Sequence, residues 1–197
     1  GVVNTVTKSG GNAVSGSVRV GITNDDWRAL TPYRGDATRN RRVPSWEFTL
    51  GGPVVKNKLF YFGAGQISHA TQNRTLSYSR ISYPYDDREQ RFQVKGTWTP
   101  RRSQTLKVEY FRINSSRENA STGTVMDLAS LYDSRTPEWL VGASYSAMMG
   151  SGLLLDTRLS VRRLTASGIG ASDTGLLTGT PVWDRSRSDA RFNSPTG

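Results

Sequence analysis

Two pairs of adjacent carboxylates, Asp25-Asp26 and Asp86-Asp87, are the first candidates for chemistry in this chain. Beside them stand one histidine, His69, next to Ser68, and two basic clusters, Arg39 to Arg42 and Arg101-Arg102. Paired carboxylates do general acid–base work when their surroundings push their pKa values apart. Both pairs here lie in polar stretches, where carboxylates are usually solvated or shape turns. His69 and Ser68 are sequence neighbours whose side chains diverge in an extended segment, and no third group orients the ring. No nucleophile–base pattern is present, so the chain is not expected to be an enzyme. Cysteine is absent, which removes disulfides, zinc ribbons and thiol catalysis. A single histidine removes a multi-histidine metal site. No metal and no cofactor is expected. The basic clusters carry no recognisable nucleic-acid motif, so no nucleic acid is expected as a partner despite a net charge of +10.

The elements that must position these residues are extended. The chain has 197 residues, of which 35% are hydrophobic. No window approaches the length of apolar sequence that a transmembrane helix needs. Seven strand-like runs alternate at period two, with one face apolar and the other polar or charged. They fall near residues 13–23, 44–50, 59–67, 91–98, 106–111, 139–147 and 153–162. The connections alternate long and short. Residues 24–43, 68–87 and 114–135 read as long polar loops, with a helical turn possible over 125–132. Tight turns fall around 56–58, 99–102 and 150–152. A single-strand-binding OB barrel is a five-strand Greek key and does not fit this rhythm. An antiparallel up-and-down meander that spans a membrane as part of a large β-barrel does, with short periplasmic turns and long extracellular loops. The expected fold class is therefore all-β, a partial barrel of about seven strands in the bacterial outer membrane. No initiator methionine or leader is visible at Gly1, and the chain is expected to begin mid-sequence.

The charge surplus sits on the strands, the N-terminal arm and the tight turns, since the internal long loops are nearly balanced. With the apolar faces outward, the inward set includes Arg19, Glu47, Glu89, Arg91, Lys95, Lys107, Glu109, Glu138, Asp156, Arg158 and Arg162. A water-filled or plugged lumen tolerates such a set, whereas a dry core does not. Strand 59–67 is apolar on both faces, so it is expected to pack against something inside the barrel. Trp46, Tyr110 and Trp139 fall near the long-loop ends and Trp98 near a tight turn, as interfacial girdles would. Arg88, Arg112 and Arg163 sit at the long-loop ends of strands, where outer-membrane lipid phosphates could pair with them. In the loops, Trp27, Arg28, Tyr33, Arg34, Arg39, Tyr78, Tyr83 and Tyr85 are aromatic and arginine anchors of the kind that bind ligands.

Two strings resemble a particular family. Gly1-Val-Val-Asn-Thr-Val-Thr-Lys-Ser-Gly-Gly-Asn12 is similar to the last plug strand and plug–barrel junction of TonB-dependent outer-membrane receptors. Pro44-Ser-Trp-Glu-Phe-Thr-Leu-Gly-Gly-Pro-Val-Val-Lys-Asn-Lys-Leu-Phe-Tyr-Phe-Gly63 resembles their second and third barrel strands, in wording close to the Oar-like branch. The resemblance covers residues 1–70. Together with the strand rhythm beyond residue 70, it implies three parts: 1–12 as the end of the plug and its junction, 13–164 as the first seven barrel strands, and 165–197 as a truncated extracellular loop. It implies a parent transporter that binds a scarce small or oligomeric ligand at extracellular loops and imports it, driven by TonB through an N-terminal segment outside this sequence. Gly51-Gly52 would let the wall bend. A non-specific porin shares the barrel but lacks a plug-like N-terminus. A secreted or surface β-sheet adhesin would show similar loop lengths at both ends and a dry inner face.

Overall fold

The computed structural model describes residues 8–32, 42–76, 78–121, 124–150, 152–169, 182–187 and 190–192. Residues 1–7, assigned from sequence to the last plug strand, lie outside the described residues. Seven strands follow one another in an antiparallel meander, each hydrogen-bonded to the next in sequence. They are β1 (Ser15–Asn24), β2 (Arg42–Val55), β3 (Leu59–Thr75), β4 (Ser82–Arg101), β5 (Gln104–Ala120), β6 (Tyr132–Met149) and β7 (Leu153–Leu164). A further short strand, β8 (Ser167–Ile169), pairs with β6 just beyond β7 and continues its line. A small separate ladder joins β9 (Val182–Asp184) to β10 (Ala190–Phe192). Short elements therefore stand within 165–197, which the sequence reads as loop. Among the described residues the outer edges of β1 and β7 carry no further strand.

The sheet is longer than the sequence rhythm implies. Residues 68–75 and 82–87 read as loop but extend β3 and β4, whose pairing runs without a break up to Thr75 and Ser82. The connection shrinks to 76–81, closed by Arg80 N–H donating to Leu76 O at 3.1 Å. In the same way β5 and β6 take residues from both ends of 114–135 and leave 121–131. The helical turn expected over 125–132 is a single 3-10 turn, Leu128–Ser130, capped by the Asp127 carboxylate, which accepts from Ser130 N–H. These strand ends keep the hydrogen-bond ladder, but their outward positions are polar. The apolar/polar contrast that marks a strand in sequence fades there.

The register places the main apolar alternants of the seven strands on one face. Val18, Phe48, Gly65, Phe92, Arg112, Trp139 and Arg163 form a single cross-strand row. Within it the Phe48 ring lies over Gly65, where a β-carbon would come within 2.2 Å of it. Phe92 stands on the far side, 6.3 Å from the Phe48 ring centre. Glycine here makes room for a cross-strand aromatic that seals the surface.

That apolar face does not fold onto a core. Trp46, Val94, Val141 and Leu155 are 54%, 57%, 40% and 39% exposed. A soluble sheet would hide such residues against a second layer. The buried cluster sits elsewhere, at the long-connection end on the opposite face. It holds Leu76, Tyr83, Tyr85, Ala120, Val125 and Leu131, with Tyr132 packed against it. Asn119, at the bulge near the top of β5, ties this end together: its amide donates to Pro84 O at 2.8 Å and its N–H to Asp133 Oδ1 at 3.0 Å.

Candidate functional site

The exposed apolar face has a defined height and a slant. In β3 it runs from Leu59 to Ile67 and in β7 from Leu153 to Val161. Each run is about nine residues, roughly 30 Å along the strand at the usual rise. Across the sheet the top of the run slides down the hydrogen-bonded rows. In β1 Val20 and Ile22 continue above the row of Val18, and in β3 Ile67 does. In β4 the residue above Phe92 is Gln90, and in β5 and β7 the run starts only below Arg112 and Arg163, at Tyr110 and Val161. The bottom edge slides the same way, from Val14 near β1 to Leu153 in β7. The drift is about one residue per strand, which with a rise of ~3.4 Å and a strand spacing of ~4.8 Å gives a tilt of about 35°. That lies in the range of membrane barrels, and it projects the run onto a band of about 25 Å, the apolar height of an outer-membrane barrel wall. Above the band the outward residues of β3 and β4 turn polar: His69, Thr71, Asp86 and Arg88.

The other face is ionic. Arg19 meets Glu47 at 3.4 Å, and Gln66 donates to the same carboxylate at 3.3 Å. Arg91 pairs with Glu89 at 2.6 Å, Arg158 with Asp156 at 3.5 Å, and Arg162 with Glu138. Exposed pairs of this kind add little stability, and an aqueous bore accommodates them. Phe60, Phe62 and Ala64 interrupt the ionic face, and Phe62 is buried. Beside Phe62 the N-terminal arm crosses to this face. A β-carbon on Gly51 would meet the Phe62 ring at 3.1 Å and the Gly10 Cα at 3.4 Å. A β-carbon on Gly10 would fall 2.1 Å from Tyr61 O. The glycines of this region thus permit two backbones to touch. The arm is pinned two residues later. Asn57 N–H donates to Asn12 Oδ1 at 2.8 Å, and Asn12 Nδ2 donates to Asn57 Oδ1 at 2.6 Å. Asn57 holds φ at 64° in the turn between β2 and β3, a conformation asparagine tolerates.

The expected ligand anchors separate into four groups. Tyr33, Arg34 and Arg39 lie outside the described residues. Trp27 and Tyr78 are exposed, in the 3-10 turn Asp25–Trp27 and in the 76–81 connection, with the Arg187 guanidinium 5.9 Å from the Tyr78 ring centre. Tyr83 and Tyr85 are not loop residues: they stand on β4, inward and buried in the cluster described above. Arg28 donates to Asp25 Oδ1 at 2.7 Å and lines a cavity of about 540 Å³ with Thr23, Asn24, Val43, Gln72 and Arg74. Arg74 also lies 3.5 Å above the Tyr85 ring. Arg74 therefore joins Arg28 and Tyr85 into one polar site at the outer mouth of the ionic face. The sequence reading passed over Gln72 and Arg74 because it placed them in a loop. No local signal marked them, since Gln72, Asn73 and Arg74 are all polar and show no apolar alternation. Hydrogen-bond donors and acceptors in such a cavity suit a polar ligand. Among the described residues no cluster of histidine and carboxylates could hold a metal.

At the rim the three expected lipid-facing arginines also divide. Arg88 is engaged on its own face, with Nε 3.4 Å from His69 Nε2 and Nη2 3.9 Å from Asp86 Oδ2. His69 and Thr71 both approach Asp86 Oδ1, the ring nitrogen at 3.2 Å. The Thr71 hydroxyl above all, with His69 and Arg88 adding to it, holds the Asp86 carboxyl below its ordinary range against the opposing effect of burial. Arg112 and Arg163 instead flank Trp139.

Residues 6–85 match the family model of an outer membrane beta barrel domain. No curated protein and no solved structure matches the chain. With the antiparallel meander, the match over residues 6–85 points to a barrel wall and indicates a location in the bacterial outer membrane.

Proposed function

We propose that this chain forms the first wall strands of a TonB-dependent transporter, which binds a scarce ligand at its outer mouth and imports it across the outer membrane. One observation carries the reading. The segment ahead of β1 passes onto the ionic face, presses Gly10 against the backbone of β3, and is fixed by the Asn12–Asn57 pair. A chain that enters its barrel from the lumen side has come from something housed in the lumen. A porin has no use for such an entrance. The inward cavity lined by Arg28, Gln72 and Arg74 supports ligand capture at the mouth. The resemblance of residues 1–70 to the Oar-like receptors points the same way.

The test is electrical and uses the complete product of the gene in planar bilayers. A plugged transporter shows no steady conductance until mild urea draws the plug out, and it binds the periplasmic domain of TonB. A barrel that conducts at once and ignores TonB would replace this reading with a porin.

A further inference from the structure

Arg112 of β5, Trp139 of β6 and Arg163 of β7 occupy one row on the outward face. Strands lie ~4.8 Å apart, so the two arginine backbones are roughly 10 Å apart with the indole between them. The next outward positions toward the tight turns are Tyr110, Val141 and Val161, all apolar. The row therefore marks the upper limit of the hydrocarbon band on these strands. Glu138 beside Trp139 points to the other face, where it takes Arg162. Among the described residues neither Arg112 nor Arg163 forms an ion pair. Arg112 Nε donates to the neutral side chain of Asn114 at 3.1 Å.

Two guanidinium groups at a hydrocarbon boundary, with no carboxylate in their row, are matched by an anion that arrives with apolar chains. We propose that Arg112, Trp139 and Arg163 form a binding site for the phosphate monoester headgroup of an outer-leaflet lipid. The two guanidinium forks converge above Trp139 on one phosphate, whose oxygens accept paired N–H bonds. The indole sits at headgroup level, as interfacial tryptophans do. The acyl chains run down the stripe of Tyr110, Val141 and Val161. That stripe assigns the phosphate to a lipid, since a free phosphate gains nothing from it. Arg88 is not part of the site, because Asp86 and His69 already engage it. The inference rests on the outward face meeting lipid and is independent of what the lumen transports.

The experiment expresses the complete product of the gene in a bacterial outer membrane, extracts it in mild detergent, and counts retained lipid by native mass spectrometry. Diphosphoryl lipid A and its dephosphorylated form are the probes. The native chain is expected to retain the phosphorylated form. Arg112→Gln and Arg163→Gln each lower retention about tenfold, the effect of losing one charge-assisted contact, while Arg88→Gln leaves it near native. Equal retention of the two lipids by the native chain overturns the proposal, and this comparison needs no variant to fold. So does undiminished retention in both the Arg112 and Arg163 variants, or release of the lipid by inorganic phosphate alone.

Discussion

Asn12 and Asn57 exchange two hydrogen bonds across the foot of the sheet, at 2.6 and 2.8 Å. The bonds join the strand-leading arm to a tight turn that sequence separation hides. Asn12→Ala removes both, at a cost of roughly 1–2 kcal/mol to the local docking of the arm. Tryptic cleavage after Lys8 should then accelerate about tenfold or more, with the cut at Arg19 unchanged. An unaltered rate at Lys8 would show that the pair does not hold the arm.

Gly10 and Gly11 should differ sharply although they are adjacent. A β-carbon on Gly10 meets Tyr61 O and Gly52 O, whereas one on Gly11 meets nothing within 4 Å. Neither has a positive φ, so alanine is strained by contact alone. Gly10→Ala is expected to cost about 1–3 kcal/mol, as overpacking does, and Gly11→Ala close to none. Heat-modifiability of the folded band on gels compares them.

Much of this was legible in the residues. The alternation of Trp46, Phe48 and Leu50 with Ser45, Glu47 and Thr49 identifies a two-sided strand, and the spacing of tight turns orders the meander. The strand ends at 68–75 and 82–87 were not legible. Above the lipid both faces meet water, so His69, Thr71 and Asp86 read like loop. For the same reason Tyr83 and Tyr85 looked like exposed anchors, when their inward side chains are packed with Leu76, Ala120, Val125 and Leu131. The contacts of Gly10 and of Asn12 bridge distant positions and leave no local pattern at all.

Leu76 anchors the cluster that holds Val125 and Leu131 over the inner face. Leu76→Ala should cost about 2–4 kcal/mol in that region and expose the connection to protease, leaving the strands within the membrane intact. Proteolysis confined to the tight turns would contradict the packing.

The Asp86 carboxyl gives the top of the β3–β4 hairpin a pH dependence of fixed sign. Its pKa in the folded chain lies below the ordinary value of 3.8. The stabilisation is therefore complete above that value and is lost as pH falls through the lower, folded one. Amide exchange near Thr71 and Asp86 should be flat from neutral pH to about 5 after correction for intrinsic rates, and should quicken below about 4. Asp86→Asn removes the dependence. A transition near neutral pH would place its origin in another group.

The chain has no cysteine, so single cysteines can be placed one at a time along β4, from Phe92 to Trp98, and spin-labelled in the membrane. Labels at 92, 94 and 98 are expected to collide with oxygen dissolved in lipid. Those at 93, 95 and 97 should respond to a water-soluble paramagnetic reagent instead. Loss of this alternation, or its reversal, would contradict the assignment of the apolar face to hydrocarbon.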